Sequence, residues 1–175
     1  MCEWCIGPAG DLPEAAFVER PAQRLVGRYW EGTHEAAAAG ATVALLSAVQ
    51  AEMGAAGGWG GPIVSISWAT GAGRFRSFVG VEAEAGTVAG DAREAPGLET
   101  LELAPMRFVS DWHDETDGEV IDHYQSMLEW MRLSGAHWDK SRLHHREEYP
   151  RHADFSAPPV LRLMLPVAAE RGDIA

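Results

Sequence analysis

The sequence predicts an α+β fold. It consists of two pseudo-twofold-related strand-helix-strand-strand modules that form an antiparallel sheet with two helices over it. The first observation is a repeat. Arg24 and Arg107, Val26 and Val109, Tyr29 and Trp112, Glu31 and Asp114, and Thr33 and Thr116 are each 83 residues apart, and Leu45 matches Leu128 at the same spacing. Fixed self-similarity of this kind marks duplicated supersecondary units. The second observation is that each copy follows its first β-rich run with a helical stretch. The third is that two further β-rich runs then come in close succession, which favours antiparallel pairing.

Along the chain, residues 1–20 carry Gly, Pro and acidic residues without periodicity and read as an extended lead-in. Residues 23–30 read as a strand. Thr33 is placed to cap a helix, and the Ala-rich stretch after it reads as helical to Met53, since alanine has the highest helix propensity. Ala38, Ala41, Leu45, Ala48 and Val49 recur at helical spacing as its core face. Gly54 stops this helix, and 57–61 is a Gly-rich loop. Residues 63–68 and 75–84 form a hairpin through Ala69-Thr-Gly-Ala-Gly73. Residues 85–96 connect the halves, and the alternating run 98–103 opens the second unit.

In the second unit, 106–113 reads as a strand. Thr116-Asp-Gly-Glu119 fits a capping box, in which hydroxyl and carboxylate satisfy free amide donors. The helix runs to Ser134, with Val120, Tyr124, Met127, Leu128 and Met131 on one face, and Gly135 terminates it. Residues 143–149 and 160–167 are the closing strands, linked by a loop with Pro150, Pro158 and Pro159. One domain is expected over 21–167, with halves of about 21–84 and 98–167 and a tail at 168–175.

Composition narrows the function. The 175 residues are 46% hydrophobic and can bury a core. No apolar run reaches the length of a membrane span, and no secretory signal pattern is present. Cys2 and Cys5 are the only cysteines, so there is no disulfide framework and a cytoplasmic location is expected. A formal charge of −12 with one lysine, Lys140, excludes phosphate-backbone recognition. The acidity favours solubility and attracts cations.

Five segments carry a resemblance: Leu25-Val-Gly-Arg-Tyr-Trp-Glu31; Phe78-Val-Gly-Val81; Gly97-Leu-Glu-Thr-Leu-Glu-Leu103; Tyr124-Gln-Ser-Met-Leu-Glu-Trp130; and Arg146-Glu-Glu-Tyr149 with Leu163-Met-Leu-Pro-Val167. In this order and spacing, over about residues 19–167, the chain resembles the GyrI-like small-molecule-binding family. This family is also described as the effector-binding domain of AraC-type and multidrug-responsive activators. The resemblance implies helices over the sheet and a ligand groove between the halves. It also implies a pocket-floor glutamate in a Glu-x-Tyr on the strand after the second helix, here Glu147 and Tyr149. Glu148 is the alternative if the register slips by one residue. Regulators of the family carry a DNA-binding segment ahead of this domain. About twenty non-basic residues precede it here, so the chain resembles the stand-alone members.

On the last-but-one strand, alternation sends Leu143, His145, Glu147 and Tyr149 to one face and Glu148 to the other. A carboxylate on the pocket side suits a cationic ligand. Aromatic rings cover apolar surfaces and attract cations, and the chain has seven Trp. The expected ligand-binding set is Glu147, Tyr149, Tyr124, Trp30, Trp68, Trp112 and His145. Read from the residues alone, Glu147 is a solvated strand residue paired with Arg146 or Arg162, and the aromatics are core.

Other motifs weigh less. Cys2-x-x-Cys5 lacks a second ligand pair for zinc and the strand and helix of a redox motif. His144-His145 and His113-Asp114 invite a metal, but adjacent strand residues face opposite ways, so neither a metal nor a cofactor is expected. Gly71-Ala-Gly73 precedes no helix, unlike a phosphate loop, and no nucleophile elbow is present. The leading expectation is therefore a stand-alone binder of amphipathic, cationic or aromatic small molecules. The resemblance implies the alternative, a hydrolase that opens strained cyclopropane-type natural products with Glu147 and Tyr149. The resemblance also implies a third reading, a protein partner such as gyrase, which is weakly supported because the acidic charge is dispersed along the sequence and does not single out a DNA mimic.

Overall fold

A computed structural model describes residues 15–56, 60–83 and 97–168. Its strands are β1 (Ala16–Arg20), β2 (Gln23–Thr33), β3 (Ile63–Gly71), β4 (Arg74–Glu82), β5 (Glu99–Leu103), β6 (Met106–His113), β7 (His145–Tyr149) and β8 (Leu161–Pro166). Three α-helices accompany them: α1 (His34–Ala38), α2 (Ala41–Ala56) and α3 (Val120–Leu133). Cys2, Cys5, the 85–96 connection and residues 57–59 of the Gly-rich loop lie outside the described residues. The eight strands form one sheet in the order β1-β6-β8-β7-β3-β4-β2-β5. Every pairing in it is antiparallel. Exchanging each strand for its counterpart in the other half reverses this order and leaves it otherwise unchanged, with β7 and β3 meeting at the centre.

The expected start of the second unit pairs elsewhere. β5 hydrogen-bonds to β2 of the first half, and β1 hydrogen-bonds to β6 of the second. Ala16 and Glu99, which open these two strands, are themselves 83 residues apart. The repeat therefore includes the leading strands, and each completes the opposite half.

Both helical expectations need correction. The first helix is broken, with Gly40 at φ 100° between α1 and α2, in the left-handed region that glycine tolerates. The break resets the helical phase. Leu46, Val49 and Met53 are buried, while Ala38 and Ala48 are exposed. α2 also continues through Gly54 to Ala56. Thr33 does cap α1, its hydroxyl accepting from the Ala36 amide at 3.1 Å. In the second half the capping box is two residues earlier than expected. Asp114 and Asp117 form it, on a 3₁₀ turn at Glu115–Asp117. α3 then starts after Glu119 with no side-chain cap. The carboxylate of Asp114 accepts from the Thr116 amide and hydroxyl, which diverts Thr116 from the capping role.

The sheet is buried on both faces. On one, α2 packs Leu46, Val49 and Met53 against Ile63, Val79 and Val81, and α3 packs Met127 and Met131 against Val109, Leu161, Leu163 and Leu165. On the other, Leu25, Val64, Ile66, Phe78, Phe108, Leu143 and Met164 form a core without a helix. That face covers itself by curling. Arg20 on the outermost strand β1 reaches Glu148 on β7, across β6 and β8. Its Nε and NH2 donate to the two carboxylate oxygens at 2.8 and 2.7 Å. Arg146 Nε donates to the same carboxylate at 2.8 Å. The Arg146 and Glu148 side chains are 2% and 1% exposed. Burial pushes the Glu148 carboxyl up. The Arg20 hydrogen bonds and the charges of Arg146, Arg20 and Arg162 outweigh it and hold the group below its ordinary value. No helix among the described residues is long and apolar enough to cross a membrane.

A close backbone approach explains two of the glycines in the segments that carry the resemblance. Gly27 and Gly80 are partners across β2 and β4. A Cβ on Gly27 would collide with the Val79 carbonyl, and one on Gly80 would lie 2.5 Å from the Val26 oxygen.

Two outcomes follow for stability. Gly27→Ala forces β2 and β4 apart and should cost about 1–3 kcal/mol in urea unfolding, as overpacking does. A change of a few tenths would contradict the close approach. Glu148→Gln leaves two guanidinium groups around a neutral amide and should cost about 3–5 kcal/mol at neutral pH. Because the folded carboxyl titrates below its ordinary 4.5, its contribution is complete above that value and is lost as pH falls through the folded value. The deficit of the variant should therefore shrink on acidification; a pH-independent deficit would refute the charge assignment.

Candidate functional site

β7 lies beside β3 at the centre of the sheet, and its alternation separates two chemistries. Arg146 and Glu148 point into the helix-free core. His145, Glu147 and Tyr149 point to the helix side, where Glu147 pairs across the sheet with Ser65 on β3 and Leu163 on β8. The register alternative is thereby decided: Glu148 is locked in the ion cluster, and Glu147 faces the cavity.

That cavity has a volume of about 250 Å³ and lies between α1, α2 and the strands β3, β4 and β7. Ser65, Ser67 and Ser77 form its floor, and His34, Phe75, Trp68, His144, His145, Glu147 and Tyr149 line its sides. The serines are what leave the space. They occupy helix-facing positions that Ile63, Val79 and Val81 fill further along the same strands. Ser67 and Ser77 are hydrogen-bonded to each other, Oγ to Oγ at 3.0 Å.

Among the described residues, Glu147 is the only acidic side chain lining the cavity, and no Lys or Arg lines it. Two phenols hold its carboxylate. Tyr124, on α3, donates to Oε1 at 3.1 Å, and Tyr149 donates to Oε2 at 2.7 Å. Burial, followed by the adjacent Glu147 charge, pushes both phenols well above their ordinary range, so they remain protonated donors. His145 Nε2 lies 3.8 Å from Oε1. Burial lowers His145, outweighing the raising effect of Glu147. His144 is lowered to about 4, first by burial and then by His145, Lys140 and His34. The His144 and His145 Nδ1 atoms lie 2.9 Å apart. Both rings are thus neutral near pH 7, and beside them the Glu147 charge stands uncompensated.

The expected residues are only partly gathered here. Glu147, Tyr149, Tyr124 and His145 are contiguous, and Trp68 lines the cavity, its Nε1 bonded to the Arg142 carbonyl at 2.9 Å. Trp30 stands one residue back, packed on Phe75 at 5.3 Å. Trp112 lies on the opposite sheet face, 2% exposed and under the Arg162 guanidinium. Its strand position has the parity of Phe108 in the helix-free core, which takes it away from the cavity. The serine floor, Phe75 and His34 escaped sequence reasoning. The available signal was small polar residues at inward positions of β3 and β4.

No protein-family model matches the chain, and no curated protein matches it. Solved structures do. SAV2435 bound to tetraphenylphosphonium superposes with a TM-score of 0.61 at 16% identity, covering 90% of this chain and 95% of that one. The EcmrR C-terminal domain gives 0.57 at 13%, covering 90% and 98%. A hydrolase from Listeria innocua gives 0.52 at 15%, covering 88% and 91%. The chain shares the fold of these proteins.

The His144 environment sets a pH dependence. The folded ring titrates near 4 and the unfolded ring near its ordinary 6.5. The unfolded state therefore binds more protons between these values, and stability falls as pH drops from about 6.5 to about 4. Ring NMR should find His144 neutral at pH 5.5. A protonated ring there would show that it is not desolvated.

Proposed function

We propose that the chain is a GyrI-like binding protein for amphipathic cations, with Glu147 as the counter-charge and the cavity under α1 and α2 as the ligand site. One observation carries this reading: a carboxylate, 15% exposed, is held by two protonated phenols in a cavity lined by no Lys or Arg among the described residues. A fixed anion in a low-dielectric site attracts a cation far more than it would in water. Trp68, Phe75 and Tyr149 add ring faces and edges for an aromatic ligand. The overall charge of −12 favours approach of cations. The likeness in fold to a protein seen with tetraphenylphosphonium agrees with this ligand class.

A second reading has its own support. A carboxylate hydrogen-bonded to two phenols resembles an acid–base pair, and a hydrolase shares the fold. In this reading Glu147 activates water and Tyr149 or Tyr124 protonates the leaving group of a strained electrophile. Phenols held well above their ordinary range are poor acids, which favours binding over turnover.

Tetraphenylphosphonium is the probe, titrated against Trp fluorescence. Glu147→Gln keeps the shape and removes the charge, and should weaken the cation by about 2–5 kcal/mol, roughly 30-fold or more, while a neutral triphenylphosphine oxide changes little. Equal affinity in both proteins would refute charge recognition. Incubation with an activated cyclopropane followed by mass spectrometry addresses the second reading. Product formed by the native protein and lost in Glu147→Gln would establish it.

A further inference from the structure

A second polar cluster lies where β6 ends and α3 begins, on residues the cavity does not use. His113 closes β6, Asp117 closes the 3₁₀ turn, and His123 sits in the first turn of α3. His113 and His123 are buried, and the Asp117 side chain is 31% exposed. The potential ligand atoms of the three all lie within 4.8 Å of one another. We propose that His113, His123 and Asp117 bind one divalent first-row transition-metal ion of the Zn2+ type.

The protonation pattern supports this. His123 Nε2 lies 3.2 Å from Asp111 Oδ2. The carboxylate only accepts, so Nε2 carries the proton and Nδ1 of the neutral ring is a lone pair. Metal-ligating histidines are oriented in this way by an outer carboxylate. That lone pair lies 3.1 Å from His113 Nδ1 and 3.8 Å from Asp117 Oδ2. Without an ion, a single proton on His113 Nδ1 can bridge the two rings. His113 Nε2 has no hydrogen-bond partner among the described residues. The proton can therefore move from Nδ1 to Nε2 with the loss only of the bridge between the two rings, which the ion replaces, and this frees the second lone pair. Two nitrogens 3.1 Å apart both reach one ion at the usual bond length of about 2.0–2.1 Å, with an angle at the metal near 100°. Asp117 supplies a charged oxygen from the exposed side, where water completes the shell. Two histidines and a carboxylate suit Zn2+, Fe2+ or Co2+ better than Mg2+ or Ca2+. The set has the spacing His-x3-Asp-x5-His and brings together residues on three elements, so neighbouring sequence pairs such as His113-Asp114 do not reveal it.

The test is calorimetry with Zn2+ on the full chain carrying Cys2→Ser and Cys5→Ser, because thiolates also bind zinc. One saturable equivalent is expected, with a matching rise in Tm. His123→Gln should abolish it. Asp111→Asn, which acts only by orienting His123, should weaken it about 10–100-fold. Asp117→Asn is the variant safest for folding, since its remaining oxygen still accepts from the Asp114 amide. It should weaken binding about tenfold or more. Co2+ should add d–d absorption bands in the parent that Asp117→Asn alters. No saturable uptake by the cysteine-free protein would overturn the proposal, as would native affinity in Asp117→Asn. Tetraphenylphosphonium binding by these variants should be unchanged, which separates this site from the Glu147 cavity.

Discussion

A carboxylate sealed from water must be surrounded by cations, and Glu148 determines much of what the sheet can do. Its partners come from its own strand and from β1, with two strands between them in the sheet. Satisfying them makes the sheet curl over the helix-free face. Removing either arginine would leave the buried carboxylate with one of its two guanidinium partners, a cost of several kcal/mol. With Glu148 turned inward, the strand period of two places Glu147 on the other side. The ion cluster and the ligand cavity are therefore one decision about register. A slip of one residue on β7 would put the pocket carboxylate in the core and the core carboxylate in the pocket.

The fold was legible because duplication writes each element twice. Where one copy is weak, as in the Ala-rich helix, the other supplies Met127 and Met131 at clear helical spacing. What stayed hidden were local contests between side chains. Thr116 has the right spacing for a capping box, but Asp114 captures its amide and hydroxyl first. Gly40 breaks a helix that alanine propensity alone extends without interruption. The Glu147–Tyr149 pair was readable from strand alternation. Trp112 was not separable from the pocket tryptophans, because being near a strand end does not say which face the strand presents.

The cavity results from omission. Nothing pushes α1 and α2 away from the sheet. Instead, Ser65, Ser67 and Ser77 are too small to fill the space that branched residues fill nearby. Ser67 and Ser77, bonded to each other, line the hollow, and the neutral rings of His144 and His145 border it without cancelling its charge. A pocket so built presents one anion and a few rings, and the proposed recognition of cations rests on those alone.

The exchange of β1 and β5 has a consequence for biogenesis. β1 finds its hydrogen-bonding neighbour only when β6 has been made, on the far side of the connection. Until then its amides, and the arginine that Glu148 requires, have no place in the structure. Neither half is a complete unit during synthesis, and the nascent chain must hold β1 in reserve until the second half emerges.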